Sequence, residues 1–325
     1  MRLRTLPLSL AGVVLGCKLA MAQWQVNGWV VALVCLTTVC LQILSNLSNE
    51  LGDVLRGTDT ADRQGPAYGL NSGEISIAQM KCLVWLFAVL CCIFGAAMIR
   101  VSYGTFLCLP AMGLLVLGAA AIWAAMRYTL GRNPYGYRGL GDIFVFIFFG
   151  LVSVMGAYFV CSHRLDLWEL VLPAAGIGFF SVGVLNINNI RDMKTDAANR
   201  VTVALRLGLK RARIYQTLLI VLGWVALIAF ALLAPCSGLA ALLSAPGAAC
   251  SAAAGAPACC AAACSGVPVT TTAPAWCAAA LRWLFLLTLP LYIWHLRGVW
   301  TSTDAALDRY FPLLVLGTFA LALLY

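Results

Sequence analysis

Charge is the scarcest commodity in this sequence. Only 10% of its 325 residues are Asp, Glu, Lys or Arg, and there are two histidines. Hydrophobic residues make up 62% and the mean hydropathy is +0.93, a balance no soluble domain has. The chain also lacks a G-x-x-x-x-G-K-[ST] loop, an H-E-x-x-H helix and a G-x-S-x-G elbow, which argues against an ATPase, a zinc protease and a serine hydrolase. No C-x-x-C pair occurs among the 14 cysteines, so no cysteine spacing resembles a metal site. The apolar runs are continuous, which disfavours a strand-built barrel.

What remains is a polytopic all-α membrane bundle. Apolar runs near the ~20 residues needed to span a bilayer fall at 6–22, 28–48, 80–98, 105–125, 142–161, 167–189, 213–234, 277–294 and 310–325. The first is no cleaved signal peptide, because it lacks a clear small-residue cleavage site and leads straight into further spans. It begins almost at Met1, so a few natural N-terminal residues are expected to be missing. With the N-terminus inside, all of the 21 Lys and Arg except Lys18, Arg100, Arg164 and Arg282 fall on the cytoplasmic side, as the positive-inside rule requires. Of the 12 acids only Asp166 and Glu169 fall outside. Acids contribute little to orientation, so their bias indicates chemistry facing the cytoplasm. The +9 net charge then reflects orientation and anion attraction, with no sign of a nucleic-acid groove.

The few polar residues are concentrated. N-I-N-N-I-R-D-M-K-T-D, starting at Asn186, follows the sixth apolar run directly. Asn188, Asp192 and Asp196 are spaced at four and share one helical face. A second cluster, S-N-L-S-N-E-L-G-D from Ser45, closes the second run and repeats the step at Asn49 and Asp53; Asp59, Asp62 and Arg63 follow. Polar groups at a span end are costly and usually functional. Two helix ends, each with Asn one turn ahead of Asp, suggest oxygen sites for Mg²⁺, which binds through a few carboxylates plus substrate phosphates. Solvated helix caps are the plain alternative. Between the clusters, G-R-N-P-Y-G-Y-R-G-L-G-D, Gly131 to Asp142, offers Gly-rich backbone for close approach and Arg132 and Arg138 for phosphate. Asp142 there reads equally as a helix cap. Lys194 and Arg200 are better phosphate candidates than the more distal cations, and Arg4 serves either as an anion contact or as a snorkelling topology signal. Metal held between the clusters would bridge to a diphosphate leaving group, its apolar remainder lying among the spans. Residues 235–276, rich in Ala, Cys, Pro and Gly and holding Cys236, Cys250, Cys259, Cys260 and Cys264, form a low-complexity extracytoplasmic insertion without chemistry.

N-E-L-G-D with D-R-Q-G-P, paired with N-N-I-R-D-M-K-T-D, resembles the Asp-rich motifs of the UbiA superfamily of intramembrane prenyltransferases. The resemblance covers nearly the whole of 1–325 as a single membrane-embedded domain. R-T-L-P-L-S, Q-I-L-S-N-L-S-N-E-L-G-D, G-Y-R-G-L-G-D and V-L-N-I-N-N-I-R-D are similar to the branch that prenylates 1,4-dihydroxy-2-naphthoate in menaquinone synthesis. The resemblance implies Mg²⁺–diphosphate binding by Asn49, Asp53, Asp192 and Asp196, supported by Asn189 and Asp59. It implies diphosphate contacts from Arg63, Arg138, Arg191 and Lys194, polyprenyl diphosphate as donor, and a multi-pass site in the cell (inner) membrane. The chain departs from the superfamily at Glu50, where an Asp is usual, at the displaced Asp59, and at Asn199-Arg200 in place of Gly-Lys. A related enzyme using 4-hydroxybenzoate, homogentisate or haem shares both motifs. A secondary transporter would show internal repeats and broken helices at bilayer depth, whereas these acids sit at span ends.

Overall fold

The computed structural model describes residues 3–57, 69–70, 73–164, 167–197, 200–233 and 283–325. The insertion read at 235–276 lies outside them, as do Asp59, Asp62 and Arg63. The described chain is helical: α1 Leu6–Met21, α2 Gly28–Leu55, α3 Ile77–Tyr103, α4 Leu109–Arg127, α5 Gly141–Val145, a π-helical stretch Phe146–Val152, α6 Ser153–Ser162, α7 Leu167–Arg191, α8 Met193–Asp196, α9 Val203–Leu233, α10 Leu289–Thr301 and α11 Phe311–Leu324. Local signals set the boundaries. Asn27 caps α2 by accepting from Trp29 N, Ser76 and Gln79 form a reciprocal capping box on α3, and Gly104 ends α3 in the left-handed region.

Nine apolar runs are expected from the sequence; among the described residues seven helices are both long and apolar enough to cross a membrane. The first run is a helix of 16 residues, about 24 Å at 1.5 Å per residue, shorter than the ~30 Å hydrocarbon core. Of the eighth, residues 283–294 are described, and they run through a 3₁₀ turn starting at Leu284 into α10.

Neighbour packing runs round the bundle. α2 lies against α1, α3 and α4; α1 against α6 and α11; α7 against α9, α6, α11 and the π-helical stretch; and α10 against α9 and α11. α7 is the central element and its span is mostly buried. α4 is mostly exposed along its length, with Leu109, Met112, Val116 and Trp123 facing outward. In a membrane that face meets lipid tails.

Because lipid supplies no hydrophobic drive between helices, close approach depends on small residues. Gly12 and Gly16, four apart on α1, give the short first helix its contact with the fifth pass. A Cβ at Gly16 would meet Val154 O at 2.2 Å, and one at Gly12 would meet Ser153 Oγ at 2.0 Å. Gly16→Val is therefore expected to destabilise the fold by about 1–3 kcal/mol through overpacking. Gly113→Ala on α4, where an added Cβ meets nothing within 4 Å, should leave stability unchanged or slightly raised. Thermal unfolding of the two variants in detergent would show it; equal melting temperatures would remove the packing role of α1.

Candidate functional site

α2 and α7 carry the two polar clusters to the same end of one cavity of about 390 Å³. Asn49, Asp53, Asn188, Asn189, Arg191, Asp192 and Arg200 line its polar mouth, while Leu41, Met98, Leu114, Leu117, Phe148 and Val152 line its apolar length. The polar groups are not loosely arrayed. Asp53, with a side chain 5% exposed, accepts from Arg200 Nη2 at 2.8 Å and from the Tyr137 hydroxyl at 2.7 Å. The Arg200 guanidinium also lies over the Tyr137 ring, 4.5 Å from its centroid. Burial opposes the charge of Arg200, but Asp53 and Asp196 more than offset it and push its pKa up. Burial, aided by Tyr128, likewise pushes the Tyr135 hydroxyl up, so both groups keep their protons at neutral pH.

The loop from Gly131 to Asp142 reaches this place because its backbone is tied down. Val201 N donates to Tyr137 O at 3.1 Å, within a parallel bridge between Arg138 and Val201. Tyr135 stacks on Phe144 at 3.9 Å between centroids and its hydroxyl donates to Ala124 O at 2.8 Å. Asp142 is buried in the first turn of α5 and accepts from Tyr215 at 3.0 Å.

On the other side α7 ends at Arg191. Asp192 leaves helical geometry, with φ −93° and ψ 9°, before the single turn of α8. The four-residue hydrogen-bond step continues through it, from Asp192 N to Asn188 O and from Asp196 N to Asp192 O. Arg191 grips Asp192 with two bonds of 2.7 Å, Nε to Oδ1 and Nη2 to Oδ2. Its third nitrogen donates to Asp308 Oδ1 at 2.7 Å, and Arg4 Nη2 donates to Asp308 Oδ2 at 2.6 Å. Arg4, Asp308, Arg191 and Asp192 thus form a continuous ladder of alternating charge beside the cavity. Such bidentate pairs are the stronger and more directional ion pairs.

The sequence-derived candidates divide. Asn49, Asp53, Asn189, Asp192 and Arg191 line the cavity together. Asp196 does not line it and lies 3.9 Å from Arg200. Arg138 does not line the cavity and takes part through its backbone. Lys194, 74% exposed, pairs with Asp304 at 2.8 Å on the outer side of α8. Asp196 and Lys194 lie beyond the departure from helical geometry at Asp192, and Arg138 lies on a separate loop bridged to Val201. Tyr137, Thr129 and Asp308 were not singled out as site residues. Tyr137 sits inside the Gly-rich motif, whereas nothing in the sequence ties Asp308 to the clusters. Exposed pairs contribute little, so Lys194→Ala should change turnover by less than about threefold; a loss approaching that of a cavity-lining residue would place Lys194 at the substrate after all.

Among the described residues no three His, Cys, Asp or Glu side chains gather as a metal group. The mouth instead offers two carboxylates, each already neutralised by an arginine, and several amides. The side chains of Asn188 and Asn189 have no hydrogen-bond partner among the described residues, although Asn189 is 7% exposed.

Fold and cavity together define a helical membrane protein with a polar, charge-paired mouth on an apolar trough. The chain belongs to the UbiA prenyltransferase family, whose model matches residues 9–258. It is 42% identical over 231 residues to a protein of Escherichia coli named 1,4-dihydroxy-2-naphthoate octaprenyltransferase, covering 71% of this chain and 74% of that one. It is 41% identical over 235 residues to the protein of the same name from Haemophilus influenzae, covering 71% and 75%. Among solved structures, the apo structure of a UbiA homolog from Aeropyrum pernix K1 superposes with a TM-score of 0.66 at 16% identity, covering 100% of this chain and 98% of that one. That likeness bears on the fold alone.

Proposed function

We propose that this protein transfers a polyprenyl group from polyprenyl diphosphate to 1,4-dihydroxy-2-naphthoate, with loss of the ring carboxylate as CO₂, giving demethylmenaquinone, first as its hydroquinone. One observation carries the reading: a single cavity joins a mouth rich in arginine, carboxylate and amide groups to an apolar trough. That is the shape of an amphipathic substrate with a diphosphate head and a hydrocarbon tail. The naming of the E. coli and H. influenzae relatives supports the naphthoate as acceptor.

Hard oxygen donors suit Mg²⁺, which usually takes one or two carboxylates together with substrate phosphates. Asp53 and Asp192 provide the carboxylates, and the unpartnered Asn189 amide and Asn49 provide further oxygens, so the residues present fit the ion. Asp196 stands within a turn of them, and Asp59 is assigned the same supporting role. Mg²⁺ bound there would neutralise charge developing on the departing diphosphate.

The protein's own part follows from its ion pairs. Arg191 and Arg200 are cations held at the mouth by the two carboxylates. When those carboxylates turn to other partners, the guanidinium groups become free to grip phosphate oxygens, with Arg63 and Arg138 as further candidates; Lys194, held outside by Asp304, is not placed among them. The Tyr137 hydroxyl, released from Asp53, becomes a donor to the same oxygens. Preorganised donors of this kind act where charge appears as the C–O bond breaks. The apolar walls keep water from the allylic cation until the electron-rich ring attacks it. We place this mouth on the cytoplasmic face of the cell membrane, on the strength of the cation distribution.

The test uses membranes holding the protein, a radiolabelled prenyl diphosphate and a panel of acceptors. With 1,4-dihydroxy-2-naphthoate, label should enter a lipid-soluble product and CO₂ should be released in equal amount. Product formed only with 4-hydroxybenzoate, homogentisate or haem would overturn the acceptor assignment.

A further inference from the structure

Two segments singled out in the sequence, R-T-L-P-L-S and Q-I-L-S-N-L-S-N-E-L-G-D, are only partly used by the diphosphate chemistry. The structure brings their unused parts together. Gln42 Nε2 donates to Thr5 Oγ1 at 2.9 Å and to Asn46 Oδ1 at 3.2 Å, and Asn46 Nδ2 donates to Thr5 Oγ1 at 3.3 Å. All three line the cavity. Gln42 is 6% exposed and Asn46 5%. Both hydrogens of the Gln42 amide are therefore spent inside the cluster, while its Oε1 accepts nothing among the described residues. Turning that amide over would set two carbonyl oxygens, Gln42 Oε1 and Asn46 Oδ1, against each other and forfeit the donation to Thr5. The oxygen is open to the cavity, so a ligand carrying a donor can reach it there.

The position says which ligand. Gln42, Asn46, Asn49 and Asp53 follow steps of four, three and four on α2, so they share a face. Gln42 lies about 10 Å along the axis from Asn49, away from the diphosphate mouth. A prenyl tail has no group to satisfy an amide oxygen. A phosphate oxygen would be repelled by one. A ring hydroxyl fits, because it carries a donor at the edge of a flat apolar body, and Phe148 and Phe149 supply apolar wall in the same cavity.

We infer that Thr5, Gln42 and Asn46 form the subsite for the hydroxylated aromatic acceptor, with Gln42 Oε1 accepting the hydrogen bond of a ring hydroxyl. The inference rests on the prenyl transfer proposed above. That bond orients the ring towards the prenyl carbon, and it raises the electron density of the hydroxyl-bearing ring as the attack proceeds. Thr5 and Asn46 act as positioning residues, since they fix the Gln42 amide by taking up its donors.

The experiment measures kcat/KM in membranes for the wild-type chain, Gln42→Met and Gln42→Asn. The acceptors are 1,4-dihydroxy-2-naphthoate and two analogues, 1-hydroxy-2-naphthoate and 4-hydroxy-2-naphthoate, each lacking one hydroxyl. Wild type should prefer the dihydroxy acid over at least one analogue by about tenfold, the effect of one hydrogen bond to an amide acceptor in the cavity wall. Both variants should lose that preference while KM for the prenyl diphosphate stays within about twofold. Gln42→Asn keeps an amide in the cavity but withdraws its oxygen, so it reports even if Gln42→Met fails to accumulate. Undiminished preference in the variants, or an equal rise in KM for both substrates, would overturn the subsite while leaving prenyl transfer standing. If wild type prenylates no hydroxylated aromatic acid, the reaction itself is wrong and the subsite falls with it.

Discussion

Asp53→Asn and Asp192→Asn should each lower turnover by about 10²–10³-fold or more, the range lost when one preorganised charge-stabilising group is removed, while the protein still accumulates in the membrane. Asn keeps the size of each side chain and one oxygen, so Tyr137 and the arginines retain a neutral partner. The carboxylate charge that would draw Mg²⁺ to the mouth is lost. The two positions are equivalent in this respect: each lies one turn after an Asn, lines the same cavity and binds an arginine. Activity near the wild-type level across a Mg²⁺ titration, in either variant, would sink the two-cluster site. Binding of labelled prenyl diphosphate, followed alongside, separates loss of substrate from loss of chemistry.

Arg200→Met should cost both folding and function. Its guanidinium is the partner of Asp53, whose side chain is 5% exposed against 16% for Arg200. Removing one member of a buried pair typically costs about 3–5 kcal/mol, because the other charge is left uncompensated. The double variant Arg200→Met with Asp53→Asn should regain much of that stability and none of the activity. A lowered melting temperature in the single variant that the double variant corrects would establish the coupling. Additive losses would mean that the two groups act independently despite their 2.8 Å contact.

The helical class and most of the passes were legible in the sequence because a bilayer leaves few options for a continuous apolar run. The first run, read at 6–22, matches α1 to within a residue. What α1 packs against was not legible: Gly12 and Gly16 reveal their purpose only when Val154 and Ser153 are seen opposite them. In the site, the steps from Asn49 to Asp53 and from Asn188 to Asp192 join residues that line one cavity, whereas Asp196, a further step on, does not line it. The diphosphate role that the resemblance implies for Lys194 is no part of that spacing, and its side chain points outward to Asp304, as a residue two positions from Asp192 does on a helix. Arg4 was legible only as a choice between an anion contact and a topology signal. Its partner Asp308 lies 304 residues away, and no local pattern reports a pairing of that separation. The amide cluster of Thr5, Gln42 and Asn46 was visible as two quoted motifs but not as one place.

That separation has a consequence for how the protein is made. Arg4 leaves the ribosome 304 residues before Asp308, roughly 15–60 s earlier at ordinary synthesis rates. Through that interval the first helix carries a cation whose eventual counter-charge does not yet exist, and Arg191 on α7 also lacks its outer partner. The charge ladder is therefore among the last features to form, and its completion registers that the C-terminal helix has arrived in place. A chain halted before that point would hold both of its acidic motifs, yet Arg4 would lack its carboxylate partner and Arg191 would keep only its grip on Asp192.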